Sequence, residues 1–310
     1  MRICSLLPSA TEILYALGLE EEIVAVTHEC DYPPSARSKP KITRSFIDQA
    51  ESSRTIDRLV SQQLDNTGNL YELDLALLEK LKPDLILTQR LCSVCAVSFD
   101  SVADGVKNLR LPADVVNLEP NSVGDSLKNI LLIGQLTNRI NRADQFVAGL
   151  QERVLRVQEM TRSIARRPSV FCMEWIDPPY CAGHWIPELA EIAGGIDGLG
   201  RKGLPSVRID WKKVLDYSPE ILVVMCCGLS LERILQETSR LSMYEGWDQL
   251  PAVRSGEVYV VDGSAYFSRP GPRIVDSLEI LASILHPALF EKSYSSDAVV
   301  KVNTNQYILT

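Results

Sequence analysis

The chain has 310 residues, 45% of them hydrophobic and 23% charged, with a formal net charge of −8. That length holds two ordinary domains. The acidic balance argues against nucleic acid as a partner, because phosphate binding needs a basic surface, and no apolar run reaches the roughly 18 residues that cross a bilayer, so membrane insertion is not expected.

Taken in chain order, the first element is an apolar strand at Ile3–Leu6. It runs through Pro8-Ser9-Ala10-Thr11-Glu12 into a helix, where Ser9 and Glu12 have capping-box spacing and Gly18 is placed to end the helix. Strands are predicted at Ile23–Thr27, Leu85–Thr88 and Val115–Leu118, alternating with helical segments. That rhythm argues a parallel α/β sheet. From about residue 122 to 166, apolar residues recur at helical spacing without a proline, which predicts a long helix, with a kink near Asn138–Asn141 as the variant. A second α/β unit follows. Its predicted strands are Ser169–Met173, Ile221–Cys226 and Val258–Val261, and its predicted helices are Trp185–Ala193, Asp210–Leu215 and Ile274–Leu285. Leu81-Lys82-Pro83-Asp84-Leu85 is echoed by Tyr217-Ser218-Pro219-Glu220-Ile221, a helix stop, an acid and a buried strand in each half. Val299–Val302 and Tyr307–Leu309 are candidates for an added edge strand or a partner contact. The resulting division is an N-terminal α/β lobe at 1–121, a connecting helix at 122–167, a C-terminal α/β lobe at 168–290 and a tail at 291–310.

The order of these segments resembles a known family. The Pro8-Ser9-Ala10-Thr11-Glu12 helix, the Asp31-Tyr32-Pro33-Pro34 turn, the Lys82-Pro83-Asp84-Leu85 strand entry, the long helix and Ser268-Arg269-Pro270-Gly271-Pro272-Arg273 are similar to the periplasmic cobalamin-binding proteins of ABC importers, in the helical-backbone metal receptor superfamily. The resemblance implies two Rossmann-like lobes joined by a rigid backbone helix, with the ligand in a cleft between them. It implies a small-molecule ligand, cobalamin or another corrinoid, held by aromatic side chains, and an ABC permease as partner. Tyr32 and the pair Tyr266 and Phe267 stand at the family's aromatic positions, and Phe46 is the aromatic of the loop that carries a tryptophan in the family. No catalytic residue is implied.

The residues also carry chemistry of their own. Loops after the C-terminal ends of parallel strands face the ligand crevice of an α/β sheet. Such loops here contain His28 and Cys30, Cys92 and Cys95, Glu174 and Trp175, and Cys227. Thiolates with an imidazole suit zinc, iron or cobalt, so His28, Cys30, Cys92, Cys95 and Cys227 are candidate metal ligands. Cys92-Ser93-Val94-Cys95 is more simply a pair of buried or lining thiols, and less readily a Cys-x-x-Cys of the redox kind, since no thioredoxin-like βαβ pattern surrounds it. The loop from Glu174 to Trp185 adds Trp175, His184 and Trp185, and Arg269 adds a guanidinium suited to a ligand carboxylate or to backbone carbonyls. Three readings share these residues: a corrinoid-binding protein, a cytosolic protein with a Cys/His metal site, and a thiol-dependent corrinoid-processing or redox enzyme. Met1-Arg2 is followed by too short an apolar stretch for a secretory leader, so the expected location is cytoplasmic, and periplasmic if further residues precede Met1.

Overall fold

The structure is a computed structural model that describes residues 1–90, 94, 96–290 and 294–304. Cys92 and Cys95, and the strand expected at Tyr307–Leu309, lie outside the described residues. The chain divides into two compact units. The first comprises Met1–Asp48, Arg58–Pro120 and Gly124–Gly149, and the second comprises Gln49–Asp57, Asn121–Val123 and the chain from Leu150 onward.

The elements begin with β1 (Ile3–Ser5), α1 (Pro8–Ala16), β2 (Ile23–Val26), β3 (Thr43–Ser45), α2 (Ser53–Thr67) and β4 (Tyr71–Leu73). They continue with α3 (Leu75–Leu81), β5 (Leu85–Thr88), α4 (Phe99–Asn108), β6 (Asp114–Asn117), α5 (Val123–Leu136) and α6 (Ile140–Arg162). In the first unit the parallel sheet has the order β2-β1-β5-β6, and β3 pairs with β4 in a separate antiparallel ribbon. Its apolar cluster includes Cys4, Leu6, Ile86, Val102 and Val106. Strands buried on both faces read as short continuous apolar runs, which is why β1 and β5 were visible in the sequence.

Local details differ from expectation at α1. The helix starts at Pro8, so Ser9 is inside its first turn, and the preceding Leu7 offers no side-chain cap. No capping box forms. Pro8 takes the first helical position, where its missing N–H costs nothing. Gly18 closes the helix as expected, with a φ of 70° and its N–H donating to the Tyr15 carbonyl.

The stretch from 122 to 167 carries two helices in place of one. Asn138 adopts a left-handed φ of 56° after α5, and α6 restarts at Ile140. Asparagine tolerates that conformation, and the break falls at the kink the sequence offered near Asn138–Asn141.

The second unit adds β7 (Val170–Trp175), β8 (Tyr180–Cys181), β9 (Gly183–His184), α7 (Ile186–Ile192), β10 (Arg201–Lys202), β11 (Val207–Arg208), α8 (Trp211–Tyr217) and β12 (Ile221–Val224). It ends with α9 (Leu231–Glu237), α10 (Pro251–Arg254), β13 (Val258–Val261), a π-helical turn at Gly263–Phe267, α11 (Ile274–Leu285) and β14 (Val299–Lys301). The six-stranded sheet has the order β11-β8-β7-β12-β13-β14. β7, β12 and β13 are parallel, and β14 adds an antiparallel edge on β13. Trp211 belongs to the core: it stacks on Tyr244 with ring centroids 4.3 Å apart.

The echo between the halves has a structural basis. α3 and α8 are each capped at the N-terminus by an aspartate, Asp74 and Asp210. Each stops at a left-handed residue, Lys82 or Ser218, followed by a proline. The acid after the proline then accepts from the backbone N–H ahead of a neighbouring strand: Asp84 from Arg2 at 2.7 Å, Glu220 from Ser169 at 3.1 Å.

Candidate ligand-binding residues

The parallel strands of the second unit deliver three loops to one sheet edge. These loops are laced together. The Cys227 N–H donates to the Glu174 carbonyl at 3.1 Å, Gly228 N–H to Ser268 Oγ at 3.1 Å, and Ser264 N–H to the Leu229 carbonyl at 2.9 Å. Glu174 Oε1 also accepts from Gly183 N–H at 3.1 Å, which ties the loop carrying His184 to the end of β7. Gly183 has no room for a side chain, because a Cβ would run into the backbone of residues 204–206.

His184 sits in this lattice with a φ of 51°, unusual for a residue other than glycine. Its backbone is held on both sides: N–H donates to the Leu204 carbonyl at 2.7 Å, and its carbonyl accepts from Gly203 N–H at 2.8 Å. The ring stacks on Trp185 with centroids 5.6 Å apart, and Nδ1 lies 3.4 Å from Asn121 Oδ1. Burial lowers the imidazole pKa below its ordinary value, so the ring is neutral at neutral pH.

Trp185 itself is buried and donates its indole N–H to the Phe267 carbonyl at 3.1 Å. Phe267 and Arg269 are buried too, Arg269 donating to Ser264 Oγ at 3.2 Å. Trp175 is half-buried and donates to the Ser53 carbonyl at 3.1 Å. Tyr266 is half-buried with the Arg273 guanidinium 5.5 Å from its ring centre. Of the residues singled out by sequence in this unit, Trp175, His184 and Tyr266 therefore remain half-buried. Trp185, Phe267, Arg269 and Glu174 hold the loops that carry them.

In the first unit, Tyr32 and Phe46 are exposed, at 45% and 49%. Phe46 lines a cavity of about 350 Å³ together with Tyr71, Leu73, Leu75 and Val97. Sequence reasoning missed Tyr71, whose only signal was an aromatic in a short strand. His28 Nδ1 is 2.8 Å from Thr43 Oγ1, and its ring lies 5.5 Å from that of Tyr71. Its Nε2 is buried 3.4 Å from Glu29 Oε1, without the alignment of a hydrogen bond. Cys30 is buried at 1% exposure with Sγ 3.0 Å from Thr11 Oγ1.

Among the described residues, no group of three or more His, Cys, Asp or Glu side chains is arranged to hold a metal ion. Cys4, Cys172 and Cys226 are fully buried, and burial pushes their thiols up, Cys4 to about 12. Such thiols stay protonated and pack as small apolar groups. Cys227 is partly exposed and belongs to the second unit, whereas His28 and Cys30 belong to the first.

A parallel α/β architecture with accessible aromatic rings held by buried loops defines a small-molecule binding protein. The chain belongs to the periplasmic binding protein family, whose pattern matches residues 3–265. It is 25% identical over 299 residues to an uncharacterized ABC transporter substrate-binding lipoprotein of Bacillus subtilis, covering 94% of this chain and 82% of that one. It is 25% identical over 295 residues to the vitamin B12-binding protein of Vibrio cholerae, covering 92% and 88%. Among solved structures, the periplasmic heme-binding protein RhuT of Roseiflexus shares the fold at a TM-score of 0.69 and 20% identity, covering 93% of this chain and 98% of that one.

The family is one of binding proteins, which removes the enzyme reading. Among the described residues no helix is long and apolar enough to cross a membrane. The cytoplasmic location expected from the first residues is not shown: the family is periplasmic by description and the Bacillus relative is a lipoprotein.

Proposed function

We propose that this chain is the substrate-binding component of an ABC importer and that its cargo is a flat metal chelate, a corrinoid first and heme second. The observation that carries the reading is the His184–Trp185 stack, a ring platform fixed on three sides at the loop edge of the second unit. Large flat ligands gain most from aromatic faces that are already in place, since little side-chain entropy is lost on binding. Tyr266, half-buried in the same unit, supplies further ring surface. The near-full-length similarity to a vitamin B12-binding protein supports a corrinoid as the leading cargo. The heme-binding neighbour supports the fold's use for a second planar chelate. An ABC permease is the partner that takes the cargo onward.

Calorimetric and visible titration with cyanocobalamin, hemin and free zinc, under reducing conditions, tests this. Saturable binding of a chelate at one equivalent, weakened in Tyr266→Ala, is expected. Binding of zinc alone, with neither chelate bound, would replace the proposal with a direct metal site.

A further inference from the structure

The hollow beside Phe46 in the first unit is not used by the chelate reading. Its walls come from α2, β4, the start of α3 and the approach to α4, all within that unit. At about 350 Å³ it lies at the small end of ligand pockets, so it suits a single ring and not a macrocycle.

The walls are set before anything enters. The Tyr71 hydroxyl donates to the Val94 carbonyl at 2.7 Å, and its ring lies beside that of His28. Phe46 N–H donates to the Leu70 carbonyl at 3.0 Å, which extends the β3–β4 ribbon by one bond. Leu75 rests on α4 where Gly105 has no side chain: a Cβ there would come within 2.8 Å of Leu75 Cδ2. Phe46 and Leu75 are nevertheless 49% and 41% exposed. Two large apolar groups left in water beside one hollow form a patch that a ligand ring would cover with a net gain, at little cost in side-chain ordering.

The polar part of the wall is only half engaged. Ser101 Oγ donates to Asn69 Oδ1 at 3.2 Å, which leaves the Asn69 amide nitrogen as a donor. Gln63 Nε2 donates to Thr67 Oγ1 at 3.2 Å, which leaves Gln63 Oε1 as an acceptor. A donor and an acceptor on neutral amides match a ligand group that is both, a carboxamide or a hydroxyl. Among the described lining residues the one charged side chain is Glu72, paired with Arg44. A ligand carboxylate would meet that negative charge and lose water without gaining a cation from the lining, so a neutral ligand is favoured.

We infer that this hollow is a second binding site, separate from the chelate platform, for a small neutral aromatic molecule bearing one carboxamide or hydroxyl group. The ring lies among Phe46, Tyr71 and Leu75, and the polar group meets Asn69 and Gln63.

Titration of the full chain with benzamide, benzoate and acetamide, followed by ligand-observed NMR, tests this. Benzamide should bind saturably with a dissociation constant on the order of 1 mM, as expected for so small a ligand. Benzoate should bind at least about tenfold more weakly, and acetamide, which has the polar group without the ring, should not bind. Leu75→Trp fills the hollow and should abolish benzamide binding. Asn69→Ala should weaken it about 2–10-fold, and it keeps the test open if Leu75→Trp misfolds. No saturable binding of benzamide by the wild type, or binding unchanged in both variants, would overturn the inference. Benzoate bound as tightly as benzamide would overturn the neutral ligand class, and displacement of benzamide by saturating cyanocobalamin would overturn the separateness of the site.

Discussion

Glu237 and Ser53 lie 184 positions apart in the chain and are joined twice. Ser53 N–H and Ser53 Oγ donate to Glu237 Oε2 at 3.2 and 2.8 Å. Ser53 is the first residue of α2, so a buried carboxylate caps the start of that helix from a distant element, where the helix dipole favours negative charge. Arg240 and Arg233 flank the same carboxylate at 2.8 and 3.3 Å. The neighbouring Arg54 reaches Asp177 at 2.9 Å, and Tyr180 and Arg208 share Asp57. Gln49–Asp57 is thereby fixed as part of the second unit.

Replacing Glu237 should show how much that cap is worth. Burial alone would raise its pKa, but the Ser53 bonds and the two arginines outweigh burial and lower it. A carboxylate with a depressed folded pKa adds stability above its unfolded pKa and loses it as pH falls through the folded value. Glu237→Ala is expected to cost about 2–4 kcal/mol at neutral pH, because it leaves the Ser53 N–H and hydroxyl without their acceptor, while Arg233 keeps the Gln49 and Glu51 carbonyls and Arg240 keeps Asp177. Glu237→Gln, which keeps an acceptor, should cost about 1–3 kcal/mol. Denaturant unfolding from pH 3 to 8 checks both. The gap between wild type and Glu237→Gln should close at the acid end.

Asp197 behaves in the opposite sense. The residue is half-buried but its Oδ2 is out of solvent with no hydrogen-bond partner, and that burial raises its pKa to about 7 despite help from Gly200 and Leu199 N–H and the Cys172 thiol. The folded state then holds a proton that the unfolded state releases, so stability falls as pH rises from about 4 to about 7 and stays low above that. Asp197→Asn, which keeps an acceptor for Gly200 N–H, should be the more stable protein at pH 8 by on the order of 3 kcal/mol. A melting temperature for Asp197→Asn that tracks the wild type across this range would contradict the burial argument.

Thiol chemistry should separate the cysteines. Cys4, Cys172 and Cys226 are inaccessible, and their raised pKa values keep them out of the reactive thiolate form. Brief native alkylation followed by peptide mass mapping should label Cys227, which is partly exposed, and leave those three unmodified until the protein unfolds.

The two matched helix ends give a fourth expectation. Asp74 and Asp210 each accept from a first-turn N–H, Leu77 at 2.8 Å and Lys212 at 3.0 Å. Asp74→Ala and Asp210→Ala should each cost about 1 kcal/mol. Ser218→Gly relieves a left-handed φ of 55° and should recover a fraction of that. Thermal melts of the single variants measure each effect.

Much of the framework was legible because it depends on local pattern. β5, β13 and α11 lie at the predicted boundaries, since a short apolar run or a 3.6-residue rhythm is bounded there by Pro, Asp or Gly. The family was legible from the order of its turn motifs. The two-residue strands β8 to β11 were not legible, because so short a pairing has no periodicity to read. The break at Asn138 falls where the sequence offered a kink as the variant, and the capping box at Ser9 gave way to Pro8, a choice that turns on a one-residue shift.

Sequence by itself determined the alternation of short apolar strands with helices in both halves of the chain, and which rings and thiols follow strand ends, because those facts live in spacing along the chain. Only the tertiary structure decided which of those groups is spent in packing and which is presented. Trp185, Arg269, Cys30 and Phe267 are buried among partners, while His184, Trp175 and Tyr266 stay half-buried. That division follows from contacts between residues as far apart as Trp185 and Phe267, or Ser53 and Glu237, and such contacts leave no mark in local spacing.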